Sequence, residues 1–209
     1  MQIFIQGNLG NQVKELQKDD HNIIFTPIQS ENDLEQSYDP YQQIYIMITD
    51  NPLVDFGKTL EKMVLKDNKI FIPIIISFPY LTLGPLSVKG SEGCFHCSID
   101  RLLQHDPSRN LLQDTHQHYN LEENENTVGI HPADTLTISN WINNLKVARD
   151  EVVENWKGKI SRLNLYDRSL VSSQVIGVSN CEICGIKQDI KKKSYVNMKK
   201  YLEEGIFQL

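Results

Sequence analysis

The sequence predicts an α/β fold built on a mainly parallel sheet, with a cysteine knuckle attached to it. Two observations predict the sheet. Short runs rich in β-branched residues alternate with amphipathic segments through the first 80 residues, and the runs at 44–49 and 70–78 are apolar at successive positions. Strands covered on both faces have that pattern, and strands alternating with helices form parallel sheets through right-handed crossovers. A third observation, two Cys-x-x-Cys pairs, predicts the knuckle.

In chain order, strands are expected at 2–6, 22–28, 44–49 and 70–78. A short helix is expected at 11–18. A longer one is expected at 51–66, where Asn51 followed by Pro52 reads as a cap and Leu53, Phe56, Leu60 and Val64 form one stripe. The connection 29–43 is polar and reads as an irregular crossover. After Phe78 the segment YLTLGPLSVKGSEG, punctuated by Gly84-Pro85, reads as a hairpin or bent strand. Residues 104–131, rich in Asn and Glu, read as a mobile loop or insertion. Asp134 reads as the cap of one helix running to Trp156, about 35 Å long at 1.5 Å per residue. Residues 160–178 read as two strands. The expected organisation is a Rossmann-like βαβ half at 1–80, a knuckle and long-helix part at 81–186 on the same core, and a basic tail at 187–209.

The chain has 209 residues, 40% hydrophobic and 23% charged, enough for one real core. Its net charge of -6 argues against a surface that neutralises nucleic-acid phosphates. The N-terminus lacks the pattern of a signal peptide, and the apolar run at 70–78 is about half the ~18 residues of a membrane span. Four cysteines in two spaced pairs suit a reducing compartment, so a cytoplasmic protein with no nucleic-acid or membrane partner is expected.

The chemistry concentrates in Cys94-Phe-His-Cys97 and Cys181-Glu-Ile-Cys184, with Gly185 after the second pair. Each loop can offer two thiolates to one cation, and two loops complete a tetrahedral zinc site with no open position, which is a structural rather than a catalytic centre. Two unrelated pairs of reduced cysteines, or an iron–sulfur or redox role, are the alternatives. A thioredoxin-like pair would follow a strand and open a helix, whereas the first knuckle follows a Gly-rich extension. Gly7 and Gly10 stand as the last two glycines of a GxGxxG turn with Ile5 at the first, and only Glu31 lies near the place of a ribose-binding acid; this is a degraded nucleotide fingerprint. His105, His116, His118 and His131, near Asp106, Asp114, Glu122 and Glu123, read better as solvated loop residues than as a second metal site. Asp100-Arg101 reads as a local ion pair, and Lys191-Lys192-Lys193 as a solvated run or a contact for an acidic partner. No GxSxG, HExxH or Walker loop is present, so no catalytic residue is assigned.

The segment LGPLSVKGSEGCFHCSIDRLL, the later CEICG and the βαβ-type start resemble the McbB-like proteins, zinc-binding relatives of ThiF and ubiquitin-activating enzymes in ribosomal peptide natural-product pathways. The resemblance implies a ThiF-like fold with Cys94, Cys97, Cys181 and Cys184 as zinc ligands, and Gly84-Pro85 matching the Gly-Pro before the first knuckle. It implies a cytoplasmic accessory protein that holds a precursor peptide for a cyclodehydratase, forms homodimers and catalyses nothing itself. An ATP-dependent adenylating or cyclodehydratase-partner subunit is the alternative. Family members begin with a winged-helix peptide-recognition domain, and this sequence starts at the first strand, so a truncated member is expected. Extended-peptide addition at a sheet edge is the binding mode then expected.

Overall fold

The computed structural model describes residues 1–28, 34–91, 93–121, 130–179 and 181–184. Seven strands form one sheet: β1 (Gln2–Gln6), β2 (Ile24–Pro27), β3 (Ile44–Thr49), β4 (Ile70–Ser77), β5 (Tyr80–Leu83), β6 (Lys159–Asn164) and β7 (Leu170–Gln174), in spatial order β2-β1-β3-β4-β5-β6-β7. β2, β1, β3 and β4 pair parallel, whereas β4 to β7 pair antiparallel. The expected mainly parallel sheet is therefore parallel only in its first half. Beyond Ser77 the chain turns within two residues, and such a short link can join only antiparallel neighbours.

Alternation along the parallel strands sorts the core into two layers. Ile3, Ile5, Ile46, Ile48, Ile72 and Ile74 face the helices α1 (Gly7–Leu16) and α6 (Pro132–Val147), which supply Leu9, Val13, Ile138, Ile142 and Leu145. Phe4, Tyr45, Met47 and Phe71 face the other way, onto Phe56, Leu60 and Val64 of α3 (Val54–Lys66) and Phe95 and Ile99 of α4 (Phe95–His105). The stripe expected at 53, 56, 60 and 64 is buried throughout, but the helix starts at Val54 with Leu53 rather than Asn51 as its cap, so Pro52 precedes the helix. Within the 29–43 connection a single turn, α2 (Leu34–Ser37), is helical, and 29–33 lie outside the described residues.

Two expectations on the second half are corrected. Residues 104–121 are largely helical rather than a loop: α4 continues to His105 and α5 (Arg109–Leu121) follows, its polar composition hiding a face of Leu112, His116 and Tyr119 at helical spacing, of which His116 is buried; residues 122–129 lie outside the described residues. Nor do residues 134–156 form one helix. α6 ends at Val147, and α7 (Arg149–Trp156) begins after Ala148, whose ψ of 44° breaks the helix. The break brings Trp141 and Trp156 edge-on at 6.1 Å between ring centroids. In a straight helix, 15 residues would hold them about 22 Å apart along the axis. His131, not Asp134, caps α6: its Nδ1 accepts the Ala133 N–H, with Pro132 in the first turn. Asp134 is buried and accepts a hydrogen bond from Arg168. The basic tail lies outside the described residues.

Gly57 sets how closely α3 approaches α4, because a Cβ there would stand 2.6 Å from the Phe95 ring and 3.1 Å from Met47. Gly57→Val is expected to destabilise by about 1–3 kcal/mol through overpacking. Thermal denaturation would show this as a midpoint lowered by roughly 2–4 °C per kcal/mol.

Candidate metal centre

The four cysteines come together from segments 87 residues apart. All four are buried and reduced, and their sulfurs lie within 4.8 Å of one another, the one such group of potential ligands among the described residues. The sulfurs of Cys94 and Cys97 are 3.6 Å apart, Cys94 and Cys181 3.7 Å, and Cys97 and Cys184 3.7 Å. A disulfide requires about 2.05 Å. A tetrahedron with metal–sulfur bonds of about 2.3 Å has edges of about 3.8 Å, so this arrangement can hold a metal ion of tetrahedral preference.

Local structure explains the first knuckle. Cys94 is the N-cap of α4 and its sulfur accepts the Cys97 N–H, so both thiols sit where the helix dipole favours negative charge. Contrary to the expectation drawn from the Gly-rich extension, this pair does open a helix. A hydrogen bond from the Cys94 thiol pushes the Cys97 thiol down and raises Cys94 itself. The Val178 N–H adds a further bond to the Cys97 sulfur. Gly93 makes the approach possible: with φ of +115°, it lies where a Cβ would be 2.2 Å from the Val175 carbonyl oxygen. Arg101, from the next turn of α4, donates to the carbonyls of Ile176 and Gly177. The expected Asp100–Arg101 pair is absent because Asp100 meets Lys58 and His96 instead.

The residue that sequence reasoning missed is Glu61. Fully buried on α3, its carboxylate accepts the N–H groups of Phe95 and His96 at 2.7 and 2.9 Å and the Ser87 hydroxyl at 2.6 Å. It thus satisfies the otherwise unpaired donors at the start of the helix that carries Cys94 and Cys97. Burial pushes its carboxyl up to about 7 against the effect of these bonds. A carboxylate between Leu60 and Val64 on the apolar stripe was the available signal.

The other expected residues do not assemble. His105 and His118 are exposed on α4 and α5, His116 is buried with its pKa lowered by desolvation, and His131 caps α6; Glu31, Glu122, Glu123 and Lys191–Lys193 lie outside the described residues. Gly7 does open α1 with φ of +83°, as a nucleotide turn would, and Gly10 packs against Ile5. The anion position there is filled from within: buried Asp50, just past β3, accepts the N–H groups of Asn8 and Leu9 at 2.5 and 3.0 Å. A nucleotide phosphate at that helix end would meet this carboxylate.

No family profile and no curated protein sequence matches the chain. Solved structures do share its fold. The heterocyclase TruD is similar over 92% of this chain and 28% of its own, at 19% identity and a TM-score of 0.57. A chain of the E. coli microcin synthetase McbBCD complex matches over 86% of this chain and 67% of its own, at 13% identity and a TM-score of 0.61. E. coli MccB, solved with succinimide, matches over 88% of this chain and 65% of its own, at 16% identity and a TM-score of 0.52. The chain therefore spans about a quarter of the heterocyclase's length and about two thirds of the microcin proteins' length.

Glu61→Gln would leave one carboxamide oxygen for two N–H groups and turn an NH2 toward the other. A loss of about 1–3 kcal/mol is expected from the unsatisfied buried donor. Urea denaturation should show it as a lower midpoint with an unchanged slope.

Proposed function

We propose that this chain is a zinc-stabilised accessory protein that binds a ribosomal precursor peptide and assists the enzyme that modifies it, without catalysing a reaction itself. Cys94, Cys97, Cys181 and Cys184 hold the zinc in a closed, structural site. The sulfur spacing supports this reading, since four thiolates leave no position for water or substrate. The protein works in the cytoplasm, where reduced thiols persist. Peptide-modifying chemistry is supported by the fold it shares with a heterocyclase and with a microcin synthetase complex, and by a related MccB structure solved with N-formylated MccA.

The observation that carries peptide binding is β7. It is the last strand of the sheet, and it presents Leu170 and Val171 63% and 65% exposed in the neutral run LVSSQ. Natural edges are guarded by charge, proline or a covering element; among the described residues none of these guards β7, and an apolar edge of that kind pairs with an added strand. An extended peptide gains backbone hydrogen bonds there with little demand on its sequence. Homodimer formation is assigned to α6, where Leu136 and Val147 are exposed. The ATP-dependent alternative has Asp50 against it, because the carboxylate holds the helix end a phosphate would need.

Metal analysis of purified protein should give about one zinc per chain, and Cys181→Ser should lose metal and solubility together. Retention of zinc by that variant would refute the four-ligand site. Peptide binding is read by fluorescence anisotropy with the labelled precursor encoded beside this gene, as full-length, leader-only and core-only versions. Micromolar or tighter binding is expected, weakened about tenfold or more by Val171→Asp, which guards the edge with a charge. Failure to bind any version would sink the peptide-binding reading.

A further inference from the structure

On one face, the antiparallel half of the sheet is covered: Leu81, Leu83 and Leu163 pack with Trp141, Val152 and Trp156 of α6 and α7. On the other face, α4 and α5 stand off from β5, β6 and β7 and leave a groove of about 690 Å³. Its floor is the alternate side chains Ile75, Tyr80, Thr82, Ile160, Arg162 and Val175, and its helical wall carries Leu102, Leu112 and His116. The volume lies in the range of clefts that bury a ligand of several hundred daltons.

Two guanidiniums give the groove its sign. Arg101 directs three of its five N–H groups to the carbonyls of Ile176 and Gly177 and to the Gln104 side chain. Arg162 lies 4.7 Å above the Tyr80 ring. Neither pairs with a carboxylate among the described residues, and Asp106 is the one acidic group on the lining. In a chain of net charge -6, this apolar floor with two cations is complementary to an anion carried on an apolar backbone. The wall formed by Ser173, Gln174 and Val175 belongs to β7 and the residue after it, so a strand paired with β7 lays every second side chain over the groove.

We infer that this groove selects acidic peptide segments, taking apolar side chains of an extended peptide on its floor and a Glu or Asp carboxylate between Arg101 and Arg162. The inference rests on the peptide-binding reading above and adds to it a preference that strand pairing alone lacks. A carboxylate offers a guanidinium two anionic oxygens and a bidentate pairing, where an amide offers one neutral oxygen.

The test uses two short fluorescein-labelled peptides, one alternating Val with Glu and one alternating Val with Gln, titrated against the full chain. The Glu peptide should bind about tenfold tighter, and Arg162→Gln combined with Arg101→Gln should abolish that difference. Arg162→Gln alone, at an exposed position, should reduce it, and serves where the double variant fails to fold. Equal binding of the two peptides, binding of neither, or a preference that survives Arg162→Gln overturns the inference. Precursor binding that is lost in Val171→Asp but unchanged in Arg162→Gln would leave the β7 reading standing and remove the groove.

Discussion

The arrangement of the second half of the molecule depends on one buried carboxylate. Glu61 reaches from α3 to the first N–H groups of α4 and to the Ser87 hydroxyl, tying a helix of the parallel half to the extension and to the knuckle. Without an acceptor there, the start of α4 would leave donors unsatisfied in a dry interior, a cost of about 1–3 kcal/mol. With it, Cys94 and Cys97 are held in one turn, facing the loop that brings Cys181 and Cys184. The four-sulfur cluster closes a chain segment of about 90 residues, so Glu61 acts on the fold well beyond its own contacts.

The two halves of the sheet differ in how they are covered, and the surfaces available for binding follow from that difference. Parallel strands need crossover helices, and these bury β1, β3 and β4 on both faces. The antiparallel strands are joined by a tight turn and by the long excursion through α4 to α7, which covers one face closely and the other loosely. Among the described residues, a groove and an edge strand result, side by side, at the end of the sheet nearest the cysteines.

At the opposite end, the N-terminus of α1 that follows the Gly7 turn has its anion position filled from within. The helix end still gathers two N–H groups, but Asp50 satisfies them. The close approach also explains the glycine, since a Cβ at residue 7 would lie 2.4 Å from the Asp50 carboxyl carbon. The same interaction therefore stabilises α1 and occupies its anion site.

Periodicity in the sequence determined the strands at 2–6, 44–49 and 70–78, the buried stripe of α3 and the identity of the four cysteines, because these depend on neighbours along the chain. Thiol spacing within each pair is likewise local, and the second pair could be matched to the first by chemistry alone. Tertiary structure alone decided the antiparallel turn of the sheet after β4, the helix at 109–121, the break at Ala148 and the contacts of Glu61, Asp50, Arg101 and Arg162. Each of these depends on groups far away in the chain: Trp141 meets Trp156 only across a bend, and Glu61 is tolerated in a core only because α4 starts beside it. Hydrophobic pattern reports burial along one element, whereas the partner of a buried charge or the space left beside a sheet is set by where other elements come to rest.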